Sequence, residues 1–415
     1  MHVIKNHFSM YANLPKEMYV LAFGRIMTSM GSLIWPMLTL IMSEKHGLSG
    51  QMIGLYMMVF ALIMIPCNLI GGKLADRFNK KHIIVTFDLI GNSLYLICAF
   101  IPISMNTLYI MAFASVLQQM EHPSYDALVA DLTPTSQRQN AYSLNYLAFN
   151  LGLVLAPTIG GMLFNNYLNF AFLINGLADL SSTLLILFFI KNISYHHDEE
   201  AENSYEKGEN GSLISVLSKR KLLIMLFAMS GISSLIYAQF NFLMPLNMEA
   251  AFVGTGAFKF GILTSINGLV VIIGTPIITK KFNQLMDVTL MFIGQLLEVL
   301  GLACFIFLNH YFIVAIVGMI IFTTGEVFLA ISTTPYLTKR IPSTHRGRIL
   351  GLMNLITGLV GSLGNYGIGI LVDNYRFTFI WQFIAFIGGL LMLAYIVYIK
   401  IDHLVYSGLY QKGNE

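Results

Sequence analysis

Gly71-Gly72-Lys73-Leu74-Ala75-Asp76-Arg77-Phe78-Asn79-Lys80-Lys81 is the stretch on which the fold turns. It holds one acid and four bases between two long apolar runs, and nothing else in the first hundred residues is as densely charged. A charge cluster wedged between two segments of membrane length reads as a tight loop joining two membrane-crossing helices.

Outward from this loop, the 415-residue chain is 56% hydrophobic and 11% charged, where soluble domains average about 25% charged residues. The apolar residues fall in runs of roughly twenty, the length that crosses a hydrocarbon slab. Twelve spans are predicted, at 18–42, 51–72, 82–103, 106–131, 141–164, 168–191, 220–247, 257–279, 287–308, 311–336, 348–371 and 377–401. Between the sixth and seventh runs a polar stretch, His196-His197-Asp198-Glu199-Glu200 with Glu202, Asn203, Ser204, Glu206 and Lys207, shows no periodicity. The expected organisation is therefore an N-terminal six-helix half (1–191), a cytoplasmic linker (192–218) and a C-terminal six-helix half (219–415). The first run is too long for the core of a cleavable signal and is expected to remain as a span.

Charge sets the orientation. With the N-terminus inside, only Lys45, Lys259 and Arg376 among the 24 Lys and Arg fall in external loops, and only Arg25 lies within a span. The remaining twenty are cytoplasmic, so a multi-pass protein of the cell membrane with both termini in the cytoplasm is expected. The net charge of +3 comes from these short loops and implies no nucleic-acid partner. Cys67, Cys98 and Cys304 are scattered in apolar runs, which suggests neither a disulfide nor a metal site.

An internal repeat supports two halves. Pro134-Thr135-Ser136-Gln137-Arg138 follows the fourth span and Pro342-Ser343-Thr344-His345-Arg346 the tenth. The same 208-residue offset pairs Gly161 with Gly369. Two parallel halves suit a transporter whose site lies at their interface.

The loop residues Gly72, Asp76, Arg77, Lys80 and Lys81 resemble the signature between spans two and three of the major facilitator superfamily. Asn79 stands where the family has a glycine, a position that asparagine can fill in the left-handed conformation. The resemblance implies an all-α membrane protein of two six-helix halves. It implies that this loop, with Asp131 as partner for Lys80, forms a cytoplasmic gate. The second half has Lys280-Lys281 in the equivalent loop and no Asp-Arg pair, so the latch is expected in the first half alone. In the fifth span Gly152, Ala156, Pro157, Gly160 and Gly161 resemble the glycine–proline packing motif of the drug:proton antiporter branch. Gln118-Gln119 stand where that branch often has an arginine. Peptide transporters of the superfamily share the Asp-Arg loop. Gly24-Arg25 lacks the acids and tyrosines that surround their span-one arginine.

A charged side chain inside a span costs about 2.5–3.5 kcal/mol on insertion scales, so it normally faces the protein interior and has a task. The resemblance places spans one, four, seven and ten around a central cavity. Glu326, in a Thr324-Gly325-Glu326-Val327 setting similar to the lactococcal type of multidrug exporter, and Glu121 are the expected proton-coupling carboxylates. Arg25 and Asp126 lie at matching depths, roughly 10 Å and 8 Å from the inner ends of their helices, which allows an ion pair. Asn145 and Asn241 occupy places where such exporters tend to carry acids, and Tyr237 and Phe240 are candidate walls for an amphiphile. Asp88, Asp179 and Glu298 are expected to snorkel or pair locally in peripheral spans.

The expected function is proton-coupled efflux of small amphiphilic or cationic compounds by alternating access. The alternatives are symport of a peptide or organic anion, with Arg25 holding its carboxylate, and lipid flipping. No ATP-binding loop and no nucleophile or metal constellation is visible, so neither an enzyme nor a cofactor is expected, only a proton gradient. The expected partners are the bilayer and a small-molecule substrate, with the monomer as working unit.

Overall fold

The computed structural model describes residues 14–134, 137–190, 217–282, 284–308, 311–342 and 345–410. These residues form helices and turns, with no strand among them. The expected linker lies almost wholly outside the described residues. Span 1 runs from Lys16–Gly31 through short turns to Lys45, span 2 is Gly50–Arg77, span 3 Lys80–Phe100, span 4 Met105–Asp131. Span 5 is Arg138–Leu153 with Ala156–Leu163, span 6 Leu168–Phe189, span 7 Lys221–Ala238 with Leu243–Ala251, span 8 Gly256–Lys281. Span 9 is Asp287–Ala303, span 10 Phe312–Thr338, span 11 Arg346–Asn374, span 12 Phe377–Val405.

Eleven of these are long and apolar enough to cross a membrane. Span 4 has the length, 27 residues, but not the hydropathy, because Gln118, Gln119, Glu121, His122, Ser124 and Asp126 crowd its second half. A helix of that kind crosses lipid only with its polar face turned to protein or water. Leu69, Ile70, Phe188, Phe386 and Leu404 are exposed, the apolar outside that a bilayer requires. Three spans are interrupted, each near a proline: span 1 at Ser32–Ile34 before Pro36, span 5 at Val154–Leu155 before Pro157, and span 7 at Gln239–Phe242 before Pro245. Proline lacks the N–H that the preceding turn would use.

The helices gather into two compact units that cut across the sequence halves. Among the described residues, the first comprises those within 14–48, 59–190 and 248–272, and the second those within 49–58, 217–247 and 273–410. In the first, span 1 packs on spans 5 and 6, and span 3 on spans 4 and 6. The second repeats the scheme, with span 7 on spans 11 and 12, and span 9 on spans 10 and 12.

The repeat at offset 208 has a packing reason. A Cβ on Gly161 would stand 2.5 Å from Ala257 O, and one on Gly369 would meet Gly50 O. Both glycines let helix backbones touch, span 5 against span 8 in one unit and span 11 against span 2 in the other. Gly152 and Gly160 do the same against span 1, where added Cβ atoms would lie 2.7 Å from Ile26 O and 2.6 Å from Leu33 O. Gly72 has nothing within 4 Å of such an atom. The close approach in the signature loop belongs instead to Gly71, against Met120 O of span 4. Gly160→Ala is therefore expected to cost about 1–3 kcal/mol through overpacking against immovable backbone. Gly72→Ala should be neutral or stabilising, since alanine favours a helix over glycine by about 1 kcal/mol. Thermal unfolding of the two variants side by side checks this, and equal losses would refute it.

Candidate functional site

The loop end of the first unit holds the expected partners together. Lys80 Nζ, at the start of span 3, forms an ion pair with Asp131 Oδ2 at the end of span 4, and Lys81 Nζ donates to Ile190 O at 2.8 Å. Arg77 ends span 2 and is exposed. Asp76 lies in the same helix, with its side chain outside the described residues. Asn79 departs from expectation: its φ is −64°, and its Oδ1 accepts from His82 N at 3.2 Å. It is the N-cap of span 3, a role for which asparagine is among the best residues.

The second half does carry an equivalent pair, which corrects the expectation of a one-sided latch. Lys339 Nζ, after span 10, lies 2.7 Å from Asp287 Oδ2 at the start of span 9. Lys339 sits 208 residues after Asp131, and Asp287 207 after Lys80. The repeat keeps the tie between the two helix ends and exchanges its charges. The pair is hard to see in the sequence because the acid and the base have changed places between the two halves.

At the opposite end Asp373, unnoticed in the sequence, accepts from Gly50 N at 2.7 Å and Gln51 N at 2.9 Å. A carboxylate on two free N–H groups at the positive end of the span-2 helix is a favourable cap. Glu249 caps span 8 in the same way, through Gly254 N at 2.7 Å and Ala257 N at 3.0 Å. Asn165, 208 residues before Asp373, donates to Gly254 O at 2.9 Å, so the offset could have found the position.

The expected Arg25–Asp126 ion pair is absent. The Arg25 guanidinium lies over the rings of Phe149, 4.8 Å from the centroid, and Tyr125, at 5.6 Å. Its Nε is buried without a hydrogen bond. Asp126 pairs with His122 Nδ1 at 3.4 Å, and both are half exposed. The reason is helical phase. Tyr125 faces spans 1 and 5, donating to Leu21 O at 3.5 Å and Asn145 Oδ1 at 3.2 Å, and Asp126 follows about 100° further round the helix. Matching depth did not imply matching azimuth.

Glu121 shares the Tyr125 face, four residues earlier, and its Oε2 is buried without a partner. Asp88 and Asp179 do not snorkel. Thr183 Oγ1 donates to Asp88 Oδ2 at 3.1 Å, and Asn175 Nδ2 donates to Asp179 Oδ2 at 2.7 Å. Asp179 is buried, and spans 1, 3, 4 and 6 thus enclose one polar cluster within the first unit. Glu298 is likewise buried, accepting from Gln295 Nε2 at 3.2 Å, and Gln295 Oε1 in turn accepts from Ser233.

In the second unit Glu326 is half-buried and accepts from Tyr237 OH at 3.0 Å. Tyr237 stacks on Phe322 at 5.6 Å, and Phe240 lies 5.6 Å from Phe322. Phe240 is itself buried, so it backs this wall from behind. Asn241 is exposed, in the break of span 7. A titratable carboxylate, a phenol and stacked rings together can hold a proton beside a surface suited to a flat or cationic molecule.

The family profile for the Major Facilitator Superfamily matches residues 21–365 and 254–409. A Na(+), Li(+), K(+)/H(+) antiporter of Planococcus maritimus is 24% identical over 403 residues, covering 90% of this chain and 92% of its own. The quinolone resistance protein NorA of Staphylococcus aureus is 25% identical over 377 residues, covering 87% and 91%. Among solved structures, a peptide transporter POT bound to alafosfalin superposes with a TM-score of 0.77 at 17% identity, covering 94% of each chain. The nucleoside transporter NupG does so with a TM-score of 0.71 at 15%, covering 91% and 99%. At such identities the structural likeness speaks for the fold alone.

Proposed function

The chain belongs to the major facilitator superfamily of secondary transporters, and from that premise we propose that it exports small amphiphilic or cationic compounds in exchange for protons. The observation that carries this reading is Glu326 against Tyr237 and Phe322, a carboxylate at the edge of an aromatic wall inside a span. Protonation and a cationic substrate compete for such a group, which couples their movements. The similarity to an antiporter and to a quinolone resistance protein supports export.

In this reading the chain is a monomer in the cell membrane with both termini in the cytoplasm. Glu121 is a second proton carrier. Asp131, Lys80 and Asp76, with Arg77, serve a cytoplasmic gate. The Asp373 cap on span 2 and the Glu249 cap on span 8 hold the external ends and let go when the carrier opens outward. Import of an organic anion by symport is the second reading, favoured by the Arg25 Nε that lacks a partner.

Purified protein in proteoliposomes with an imposed pH gradient tests the proposal. Lipophilic cations should move against the proton gradient, and dissipating the gradient should stop them. Accumulation of an organic anion along the proton gradient, with no cation movement, would decide for symport.

A further inference from the structure

The polar cluster inside the first unit is unbalanced. It contains three carboxylates, Asp88 of span 3, Glu121 of span 4 and Asp179 of span 6, within electrostatic reach of one another and of a single cation, Arg25 of span 1. None of the four is in an ion pair among the described residues. Asp126, paired with His122 at the exposed edge, also acts on Glu121, and Tyr95 and Tyr125 face the cluster as well. Span 5 brings Asn145, through Tyr125, and the Phe149 ring against Arg25. One guanidinium offsets one carboxylate. Asp179 is buried and Asp88 and Glu121 are half-buried, and charge withdrawn from water without a partner is disfavoured.

Unsatisfied oxygens mark where the missing charge belongs. Asn92, 1% exposed, reaches into the cluster, with its Nδ2 donating to Thr183 Oγ1 at 3.2 Å, and its buried Oδ1 has no partner. Asp179, 7% exposed, spends one oxygen on Asn175 and has the Thr28 hydroxyl of span 1 close by, yet its Oδ1 makes no hydrogen bond of good geometry. Thr183 joins Asn92 to Asp88, since its Oγ1 lies 3.1 Å from Asp88 Oδ2, and it sits one helical turn after Asp179, 3.0 Å from that residue's backbone carbonyl. Buried polar atoms left orphaned in this way call for an ion or water.

The donors define the ligand class. They are all hard oxygens, two from carboxylates and the rest from an amide and a hydroxyl. Among the described residues, no three His, Cys, Asp or Glu side chains close on one point as a divalent or transition metal demands. A singly charged ion needs fewer anionic ligands, and carbonyl oxygens serve it well inside transporters.

We propose that Asp88, Asn92, Asp179 and Thr183 form a binding site for an alkali-metal cation within the first unit. It lies apart from Glu326 in the second unit and does not rest on the export reading.

The test uses the full chain, purified in detergent, with equilibrium binding of radioactive sodium and thermal unfolding in NaCl, LiCl, KCl or choline chloride at equal ionic strength. At least one alkali ion should stabilise the protein saturably where choline does not. Thr183→Val should weaken that ion about tenfold or more, the usual cost of losing a supporting oxygen. Asp179→Asn, which keeps the side chain's size, should abolish saturation, with an unchanged elution profile and helical content confirming its fold. Alkali ions indistinguishable from choline at every pH would overturn the proposal, leaving protons to neutralise the cluster. So would an undiminished alkali-ion effect in both variants.

Discussion

Glu326→Gln is expected to reduce gradient-driven extrusion at least about a hundredfold, the scale on which one positioned proton acceptor contributes to proton transfer. Glutamine matches the carboxylate in volume and can still accept from Tyr237 OH, now 3.0 Å away. The stack of Tyr237 on Phe322 should therefore survive, and with it the fold. What glutamine cannot do is change charge, so proton and substrate no longer compete. The check is extrusion by native and variant protein in proteoliposomes under the same imposed pH gradient, with substrate binding measured in parallel. Binding of a neutral amphiphile should persist while gradient-driven movement disappears. Extrusion that keeps its rate and its dependence on the gradient would remove Glu326 from the mechanism.

Asp402→Asn should have the largest effect on stability. Asp402 is wholly buried near the end of span 12, and its carboxylate gathers four donors. Arg340 Nε donates to Oδ1 at 3.1 Å and Nη2 to Oδ2 at 2.9 Å, while Tyr336 OH and Tyr410 OH supply the others. Arg340 is buried too. Its Nη1 donates to Tyr336 O at 3.1 Å, and its guanidinium lies 3.7 Å from the Tyr336 ring centroid. Tyr398 OH joins through Tyr336 OH at 2.6 Å. Neutralising one member leaves Arg340 charged and dry, a change that costs about 3–5 kcal/mol for buried pairs. Replacing both charges, as in Arg340→Met with Asp402→Leu, should recover much of the loss, because well-packed apolar residues often match a buried pair. Thermal unfolding of the single and double variants in detergent measures this. A double variant no better than Asp402→Asn would show that the pair's net attraction, rather than the stranded charge, sets the cost.

Much of the architecture was legible in one dimension. Spans of roughly twenty apolar residues announce themselves because the membrane imposes their length, and Met105–Asp131, the one span short of the hydropathy of the other eleven, still emerged from its flanking loops. The tie between Lys80 and Asp131 could be anticipated because both sit at helix ends, where position along the chain nearly determines position in space. Even Gly161 and Gly369, paired only by their offset, found a common reason in close helix crossing.

The sites were less legible. Arg25 was matched with Asp126 by depth, yet depth says nothing about which way a side chain points, and Arg25 rests against Phe149 and Tyr125. Asp88 and Asp179 looked peripheral because spans 3 and 6 are outer helices, but an outer helix also has an inward face. Asp402 and Asp373 do not stand out in the sequence, because a lone acid at a helix end resembles an ordinary loop charge. By itself, then, the sequence determined the family, the twelve spans and the two-half repeat, since these follow from local composition and spacing. Only the tertiary structure decided which carboxylates meet a cation, which cap a helix and which are left short of partners. That depends on the azimuth of each helix against its neighbours, where a shift of one residue turns a side chain by about 100°.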